Sequence, residues 1–424
     1  MTTLLTATEA ARRLGVKPAT LYAYVSRGTL SRKRAAGGRT SLFDADEVER
    51  LARRGRPRRL AGALDLTVES TITEISGDRL RYRGHDAIEL AGRRSFEDVA
   101  ELLWTGELPA RPGSAPHWQA PDAAREVGRS VQAVLPPGIL PLERIQVIVP
   151  AMAVTDPLRL QLDRPAVLSA GRAVVAGAVD CLPIAGSPDA GLPDTGSLDT
   201  RSPDTGSRGS HGPVAERLWA RLCSRPPSRA MLRAMSAALV LLADHELAAS
   251  TLSARTAASA RADPYAVVSA GLGAMSGALH GGASLGVETM LAAARDPADA
   301  PRVVGEMLRR GERIPGFGHS VYRGADPRCT LLLSLVRQAA PKSRAIAVAD
   351  ALIAEVRRKS LPEPNVDLAL GTLALAAGLT RGAGEAIFAV ARVAGWIAHA
   401  LEAYETGKIL RPRASYTGPS GSLP

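Results

Sequence analysis

Apolar residues near the start of the chain recur at the spacing of one face of a helix. In the stretch TATEAARRLG, Ala10, Ala11 and Leu14 fall on one side of a helical turn, since residues three and four apart share a face. Thr6 and Glu9 have the spacing of an N-terminal capping box, in which two side chains satisfy backbone N–H groups reciprocally. The pattern predicts a first short helix that begins just after Thr6.

A second short helix is predicted after a tight turn. Gly15 interrupts the apolar pattern, and Pro18 suits the first turn of a helix, because its fixed φ fits that position. Leu21 and Val25 would then face inward. Two short helices joined in this way form a helix-turn-helix.

The residues after these helices predict a small wing. Gly37 and Gly38 lie between basic segments in RKRAAGGRTSLF, which favours a hairpin, and Asp44 with Glu47 would cap a further helix in DADEVERL. Residues 1–54 therefore resemble a winged helix-turn-helix DNA-binding domain of the MerR/excisionase type. The resemblance implies DNA contact through residues 1–60, with Arg, Thr and Tyr of the second helix at the DNA. A small protein-contact module that keeps the fold is the alternative.

The rest of the chain carries longer helical patterns rich in alanine and leucine. They lie near residues 135–160 and 165–181, and they resume at residue 213 and continue almost to the end. A small β-ribbon is predicted before them, in ITEISGDRLRYRG. Aromatic residues make up only 4% of the chain, which favours helices over sheets. A chain of 424 residues also exceeds a single core, which stops growing at roughly 250–300 residues, so several mainly α domains are expected.

A five-residue repeat interrupts the helical patterns. The sequence GSPDAGLPDTGSLDTRSPDTGS contains the units 186–190, 191–195, 196–200 and 201–205. The repeat is rich in Pro, Gly, Ser and Asp and has no apolar face, so burial cannot offset the entropy of ordering it. We expect a flexible loop over residues 186–212 that connects two helices and carries no chemistry of its own.

The positive charge is concentrated at the N-terminus. The chain has a net charge of +11, and residues 1–60 hold fourteen Lys and Arg against five Asp and Glu. The first segment therefore carries +9 and the remainder is close to neutral. A basic module attached to a near-neutral body indicates two functions rather than one, with residues 55–70 as a basic linker.

The cysteine content and the hydropathy of the chain predict in which cellular compartment the protein lies. Cys181, Cys223 and Cys329 are scattered and odd in number, which argues against a disulfide framework or a Cys-based zinc site and favours a reducing cytoplasm. No apolar run is expected to span a bilayer, and the N-terminus lacks a signal-peptide core. We therefore expect a cytoplasmic protein without a membrane partner.

Histidine and aspartate occur in unusual settings in the last 180 residues. His280 lies in GALHGGASLG and His319 in IPGFGHSVYRGADPR, where glycine lets backbone approach a ligand closely. Asp367 follows PN at a predicted helix start, and His245 lies in an apolar pattern, LLADHELAASTLSAR. The arginines nearest to them are Arg323, Arg328, Arg392, Arg411 and Arg413.

This residue set predicts chemistry on a small polycarboxylate. Arginine is the preferred bidentate partner of carboxylates, because the planar N–H donors of its guanidinium match the two carboxylate oxygens. A carboxylate base with neutral histidines favours proton abstraction next to a carbonyl, with the enolate oxygen held by a hydrogen bond. A metal site is the main chemical rival, but no H-x-x-x-H or C-x-x-C spacing supports it.

Several long motifs together resemble citrate synthase in its bacterial form, over residues 71–418. They are GALHGGASLGV, PGFGHSVYRGADPR, PNVD, ARVAGWIAH and RPRASYTG, in the family's order and at its spacing. The resemblance implies a mainly α fold with a large and a small helical domain, the small one over roughly residues 272–375. The winged domain and the repeat are departures from the family pattern, and neither touches these motifs.

The resemblance also implies roles for individual residues. His280 would hydrogen-bond the thioester carbonyl of acetyl-CoA, Asp367 would remove a proton from its methyl group, and His319 would donate to the oxaloacetate carbonyl. Arg411 would reach the site from the other subunit of a homodimer, and Arg323 would contact CoA phosphate. Three residues would bind oxaloacetate: His245, Arg328 and Arg392. Acetyl-CoA would be a co-substrate, with no metal and no permanently bound cofactor.

The predicted function is condensation of acetyl-CoA, oxaloacetate and water to citrate and CoA, the acyltransferase step of the tricarboxylic acid cycle. One alternative is 2-methylcitrate synthase, which uses propionyl-CoA; the other is a DNA-binding regulator with a citrate-synthase-like sensor body.

Taken singly, some of these residues could also have a purely structural role. His245 could be a satisfied core histidine, Asp367 a helix N-cap, and Arg411 and Arg413 a solvated tail. His85, His117, His211 and His399 are expected to be non-catalytic.

Overall fold

The computed structural model divides the chain into two compact units, Met1–Glu69 and Ser70–Pro424. The residues it describes are 4–14, 21, 25, 30–34, 41–45, 47–48, 68–186, 212–322, 324–414 and 418. Most of the predicted linker 55–70, nearly all of the predicted loop 186–212 and Arg323 lie outside these residues. The predicted domain boundaries stay predictions.

The first unit contains a small antiparallel sheet and a capped helix. Strands β1 (Leu4–Thr6), β2 (Lys33–Arg34) and β3 (Ser41–Asp44) pair in the order β1-β3-β2, and α1 spans Ala7–Leu14. The predicted capping box is present, because the Thr6 backbone N–H donates to Glu9 Oε2 at 3.0 Å. Sequence reasoning missed β1, which is only three residues long.

The predicted inward faces of this unit form its core. Ala10, Ala11 and Leu21, which the helical spacing placed inward, are buried together with Phe43 and Val48, and Val25 packs against them. The side chain of Leu14 lies outside the described residues. The antiparallel pairing of β2 with β3 is the pairing that a wing hairpin requires. The turn that holds Gly37 and Gly38 lies outside the described residues, as does most of the second helix.

The second unit opens with the predicted β-ribbon and is otherwise helical. Strands β4 (Thr73–Ser76), β5 (Arg79–Tyr82) and β6 (His85–Asp86) pair in that order, all antiparallel. The helices that follow are α2 (Ala87–Arg93), α3 (Phe96–Thr105), α4 (Asp122–Ala133), α5 (Pro141–Ala153), α6 (Arg164–Asp180), α7 (Val214–Leu222), α8 (Arg229–Leu242), α9 (Ala249–Ser259), α10 (Pro264–Met275), α11 (Ala283–Ala293), α12 (Ala300–Arg309), α13 (Pro327–Ala339), α14 (Arg344–Arg358), α15 (Val366–Ala377) and α16 (Ala383–Thr406). The predicted mainly α fold is confirmed.

The long helix α16 forms the centre of this unit. It packs against α3, α5, α6, α8, α9, α10, α11 and α15, and most of its side chains are buried. By length and composition alone α16 is the one helix of the described residues that could cross a membrane. Yet 94% of its most apolar window is buried within the protein, which is the setting of a core helix.

One glycine lets α16 approach the end of α8 closely. A Cβ at Gly395 would lie 2.2 Å from Asp244 Oδ1 and 2.6 Å from the Ala243 carbonyl oxygen. The Gly395 N–H also donates to that carbonyl at 2.9 Å. Because Asp244 directly precedes His245, this contact fixes the backbone that presents the predicted substrate-binding histidine.

Candidate active site

A cluster of three rings forms where α8 ends near the loop before α13. His245 lies just after α8, and its ring centroid is 5.2 Å from that of His319 and 5.5 Å from that of Tyr322. His245 Nε2 is 2.9 Å from the Tyr322 hydroxyl oxygen. Burial, reinforced by Arg328 and Arg392, lowers the pKa of His245 well below its ordinary value, so His245 is neutral at pH 7. The structure thus brings two predicted residues, His245 and His319, together.

Arg328 is held in this cluster by a buried ion pair. Its Nε and Nη2 donate to Asp326 Oδ1 and Oδ2 at 3.0 and 2.8 Å, and both side chains are buried. Burial alone would lower the pKa of Arg328, but Asp326 outweighs it and the pKa is raised. Asp326 Oδ2 also accepts the Val366 backbone N–H at 3.0 Å, so one carboxylate ties Arg328 to the start of α15.

The hydrogen bonds of His319 define its tautomer. Nδ1 accepts from the backbone N–H groups of Val321 and Tyr322, at 2.9 and 3.4 Å. A neutral ring must then carry its proton on Nε2, which lies 3.3 Å from Arg328 Nη2. Burial and Arg328 lower the pKa of His319. Two N–H donors are therefore neighbours, and a ligand oxygen placed beside both could accept from both.

Asp367 lies in the first turn of α15 without acting as its cap. Asn365 is the N-cap, since its Oδ1 accepts the Asp367 N–H at 3.0 Å; the interpretation of Asp367 as a helix N-cap was wrong. Asp367 Oδ1 is buried without a hydrogen-bond partner in the described part of the chain. Burial, aided by Asp326, raises the pKa of Asp367 to about 7 although Arg328 and Arg392 oppose the shift. A desolvated carboxylate with a raised pKa is a suitable general base.

Arg392 projects from the buried face of α16. Its Nε donates to the Leu242 carbonyl oxygen at 2.8 Å, and its guanidinium lies 4.7 Å from the centroid of the Phe388 ring. Burial lowers its pKa to about 10, with Asp244 opposing. Arg392 Nη1 is buried and finds no acceptor among the described residues. An unsatisfied buried donor is costly, and a carboxylate ligand would satisfy it.

His280 lies in a tight turn between α10 and α11. Its Nε2 is 2.7 Å from Ser250 Oγ, which also accepts from Trp396 Nε1 at 3.3 Å. Its ring packs edge-on against Phe388, with centroids 5.6 Å apart, so Phe388 contacts both His280 and Arg392. Burial and Arg392 lower the pKa of His280 to about 4, which leaves the ring neutral at pH 7.

The glycines around His280 have a local structural reason. A Cβ at Gly281 would lie 2.7 Å from the Met275 carbonyl oxygen, and one at Gly282 would lie 3.2 Å from the Ala278 Cα. These glycines let the turn close on itself after α10. The predicted space for a thioester beside the imidazole stays a prediction.

A buried polar network supports the back of the site. Asp244 Oδ2 accepts from Thr73 Oγ1 at 2.6 Å and lies 3.4 Å from His399 Nε2. His399 Nδ1 is 2.8 Å from Arg255 Nη1, which also donates to Glu402 at 2.7 Å. His399 thus connects charged groups behind the cluster, and its predicted non-catalytic status stays a prediction.

One predicted binding residue, Arg411, is not part of this cluster. Arg411 is exposed in the segment after α16, as is Arg413, and Arg323 lies outside the described residues. Sequence reasoning missed Ser250, Tyr322 and Asp326. The sequence could have indicated Asp326, since an aspartate before Pro-Arg is a natural helix N-cap. It could not have indicated Ser250 or Tyr322, because only folding brings them to the histidines.

In the described ranges no three His, Cys, Asp or Glu side chains are placed to hold a metal ion.

Known proteins match both units of the chain. A family model described as citrate synthase, C-terminal domain, matches residues 64–413, and a helix-turn-helix domain matches residues 4–56. Citrate synthase 2 of Bacillus subtilis is 30% identical over 85% of this chain and 96% of its own length. The 2-methylcitrate synthase of Mycobacterium tuberculosis is 31% identical over 85% of this chain and 90% of its own length.

The fold also matches solved structures. A Thermoplasma acidophilum citrate synthase, in a ternary complex with carboxymethyl coenzyme A and oxaloacetate, aligns with a TM-score of 0.69 at 25% identity, over 85% of this chain and 96% of the other. The predicted MerR/excisionase-type domain and the predicted enzyme class are both confirmed. The chain belongs to the citrate synthase family of acyltransferases and carries an N-terminal helix-turn-helix domain.

Proposed function

We propose that this protein condenses acetyl-CoA with oxaloacetate and water to give citrate and CoA. The observation that carries the proposal is Asp367 Oδ1, which is buried without a hydrogen-bond partner among the described residues and lies within electrostatic reach of two buried guanidiniums, Arg328 and Arg392. A base next to two positive charges suits a dicarboxylate substrate and a carbanion-like transition state. Asp367 would take the methyl proton of acetyl-CoA, and neutral histidines would stabilise the developing negative charge as hydrogen-bond donors.

Oxaloacetate would bind to hydrogen-bond donors of the site, one of which is unsatisfied in the described residues. Arg392 Nη1 would donate to one substrate carboxylate, which removes the penalty of its burial. Arg328, held by Asp326, and neutral His245 would hold the other end. Arg411 would complete the site from a partner subunit, and Arg323 would contact CoA phosphate, as the family resemblance implies.

Enolisation of acetyl-CoA would use Asp367 and His280. Ser250 accepts from Trp396 and has no other described acceptor for its own hydroxyl proton, so that hydroxyl donates to His280 Nε2. Neutral His280 then carries its proton on Nδ1 and can donate to the thioester oxygen. Asp367 would take a methyl proton while that hydrogen bond stabilises the developing enolate.

Carbon–carbon bond formation would use the Nε2–H of His319. The enolate carbon attacks the ketone carbon of oxaloacetate, and His319 donates a proton to the ketone oxygen as it becomes an alkoxide. The citryl-CoA thioester is then cleaved by water, which gives citrate and CoA. The tautomer set by the Val321 and Tyr322 backbone N–H groups supports this donor role.

The proposal specifies acetyl-CoA rather than propionyl-CoA as the acyl donor, although one relative is a 2-methylcitrate synthase. One methylene is worth only about 1–3 kcal/mol in a pocket. Steady-state assays with oxaloacetate should therefore compare acetyl-CoA and propionyl-CoA in parallel. We expect a higher kcat/KM with acetyl-CoA. A higher value with propionyl-CoA would replace the proposal by 2-methylcitrate synthesis, and no turnover with either would leave the sensor-body alternative.

We infer a second function, DNA binding, for the N-terminal unit. Its support is the helix-turn-helix match together with the +9 charge of residues 1–60. Arg32 is exposed, and its guanidinium would contact DNA phosphate. Binding should weaken steeply with salt, because phosphate contacts release counterions. A fluorescence titration at low and moderate salt should show DNA binding by the full chain and loss of binding in a chain that starts near Ala61; equal binding by both would contradict the inference.

We infer that the enzyme is a cytoplasmic homodimer with shared active sites. Val154, Leu158 and Leu160 are strongly exposed apolar side chains after α5, which fits a subunit contact, and the cysteines are free thiols. Subunit mixing tests the sharing. Arg411→Gln and Asp367→Asn chains, each inactive alone, should form mixed dimers with one working site. No recovered activity in verified mixed dimers would contradict the role of Arg411.

A further inference from the structure

Tyr322, in the loop before α13, contacts three residues of the candidate active site. Its hydroxyl oxygen is 2.9 Å from His245 Nε2, and its ring centroid is 4.8 Å from that of His319. The Arg328 guanidinium lies over the same ring, with Cζ 5.6 Å from the centroid. Tyr322 is buried, at 5% exposure. One buried tyrosine thus joins two proposed oxaloacetate-binding residues to the proposed proton donor.

The contact between Tyr322 and His245 is a hydrogen bond between two neutral groups. Burial raises the pKa of Tyr322 to about 12, with Arg328 opposing, so the phenol keeps its proton at pH 7. His245 is also neutral, since burial, reinforced by Arg328 and Arg392, lowers its pKa. A hydroxyl and a neutral imidazole can each donate or accept. The bond therefore orients the imidazole without adding a charge to the site.

The orientation of the His245 ring depends on this bond. In the part of the chain that the structure describes, the Tyr322 hydroxyl is the only side-chain hydrogen-bond partner of His245. The Gly395 N–H holds the backbone just before, through the Ala243 carbonyl oxygen at 2.9 Å. The ring torsion of histidine has broad preferences, so a fixed backbone does not decide where Nε2 points. The hydroxyl decides it.

The residues proposed to act on acetyl-CoA are held by other groups. His280 Nε2 is 2.7 Å from Ser250 Oγ, and Asp367 lies in the first turn of α15. His319 accepts a hydrogen bond from the backbone N–H of Tyr322, at 3.4 Å, which a change of side chain leaves in place. Loss of the hydroxyl should therefore weaken oxaloacetate binding and leave enolisation of acetyl-CoA largely unaffected.

We propose that Tyr322 is a positioning residue for oxaloacetate, whose hydroxyl holds the His245 imidazole and whose ring supports the Arg328 guanidinium. The inference rests on the proposed function, in which His245 and Arg328 hold one end of oxaloacetate. A guanidinium over an aromatic face is attracted to it, so hydroxyl and ring act on two neighbouring donors. Donors that are already ordered bind a ligand more tightly, because less freedom is lost on binding.

Isothermal titration of the full-length protein with oxaloacetate, in the absence of acetyl-CoA, tests the proposal together with steady-state kinetics. The variant is Tyr322→Phe, which keeps the ring and its volume and removes the hydroxyl. The matched control is Tyr404→Phe on α16. Tyr404 is also a buried tyrosine, and its hydroxyl donates to the Ala262 carbonyl oxygen at 2.5 Å, outside the candidate active site. Circular dichroism verifies the folding of each variant.

We expect the Kd and KM for oxaloacetate to rise about tenfold in Tyr322→Phe, the size of effect that one lost hydrogen bond gives. The kcat and the KM for acetyl-CoA should stay within about twofold of the wild type. Tyr404→Phe should have a lower melting temperature but an unchanged Kd for oxaloacetate. A merely structural role of Tyr322 would give that same result in Tyr322→Phe and would overturn the proposal, as would tighter oxaloacetate binding, which would show that the hydroxyl competes with the substrate.

A double-mutant cycle tests whether Tyr322 acts through His245. In a His245→Ala background, adding Tyr322→Phe should change the Kd for oxaloacetate by less than about twofold, because the partner of the hydroxyl is already gone. A full tenfold effect in that background would overturn the positioning role. Oxaloacetate binding by the wild type that Tyr322→Phe leaves unchanged would overturn this inference alone. No oxaloacetate binding by the wild type would overturn the proposed function, and this inference with it.

Discussion

Replacement of Asp367 by asparagine should abolish turnover and at the same time stabilise the protein at alkaline pH. The amide is nearly isosteric with the carboxylate but cannot accept a proton. We expect kcat to fall by several orders of magnitude, because the base acts in the transition state, whereas oxaloacetate binding should change little. The stability effect follows from Asp367 Oδ1, which is buried without a hydrogen-bond partner among the described residues.

The size of the stability effect follows from the pKa of Asp367, which burial raises from 3.8 to about 7. The folded state then holds a proton that the unfolded state has lost, so stability falls as pH rises from about 4 to about 7. Each pKa unit corresponds to about 1.4 kcal/mol, and between pH 5 and pH 8 the ionisation cost grows by roughly 3 kcal/mol. The asparagine variant does not carry this cost, so its advantage over the wild type should grow by about that amount.

Denaturant unfolding of both proteins at pH 5, 6, 7 and 8, at constant ionic strength, measures this difference. The change with pH is more informative than the value at one pH, because any fixed cost of burying the amide cancels. Asp350→Asn, at an exposed position on α14, is the matched control and should show a small difference, as exposed ion pairs contribute little. Near-normal turnover in Asp367→Asn, or a stability difference independent of pH, would refute the reasoning.

Three further predictions concern support of the site. Ser250→Ala should lower kcat about tenfold by releasing the His280 tautomer, with oxaloacetate KM unchanged; unchanged acetyl-CoA kinetics would contradict the tautomer assignment. Gly395→Ala should destabilise the protein by about 1–3 kcal/mol and lower activity, because its Cβ would meet Asp244; a wild-type melting temperature would show that α16 can shift. Deletion of residues 186–206 should leave activity and melting temperature nearly unchanged, since loop length costs little free energy, and a large loss of either would show that the repeat is structured or functional.

The sequence by itself determined the helical class, the capped first helix and the identity of most candidate site residues. Thr6 with Glu9, and the buried Ala10 and Ala11, followed from spacing because helix caps and faces are local properties. The histidines, Asp367 and the arginines were recognised because their motifs are long and occur in order. These features depend on neighbours within a few residues, which a sequence displays directly.

Only the tertiary structure decided how those residues interact. Asn365, and not Asp367, caps α15, and Asp367 Oδ1 has no hydrogen-bond partner in the described part of the chain. Ser250 meets His280 across 30 residues, and Asp326 joins Arg328 to the start of a helix 40 residues later. Such contacts, and the burial that moves each pKa, arise from desolvation and packing between distant segments. Local periodicity carries no information about which distant segments will meet.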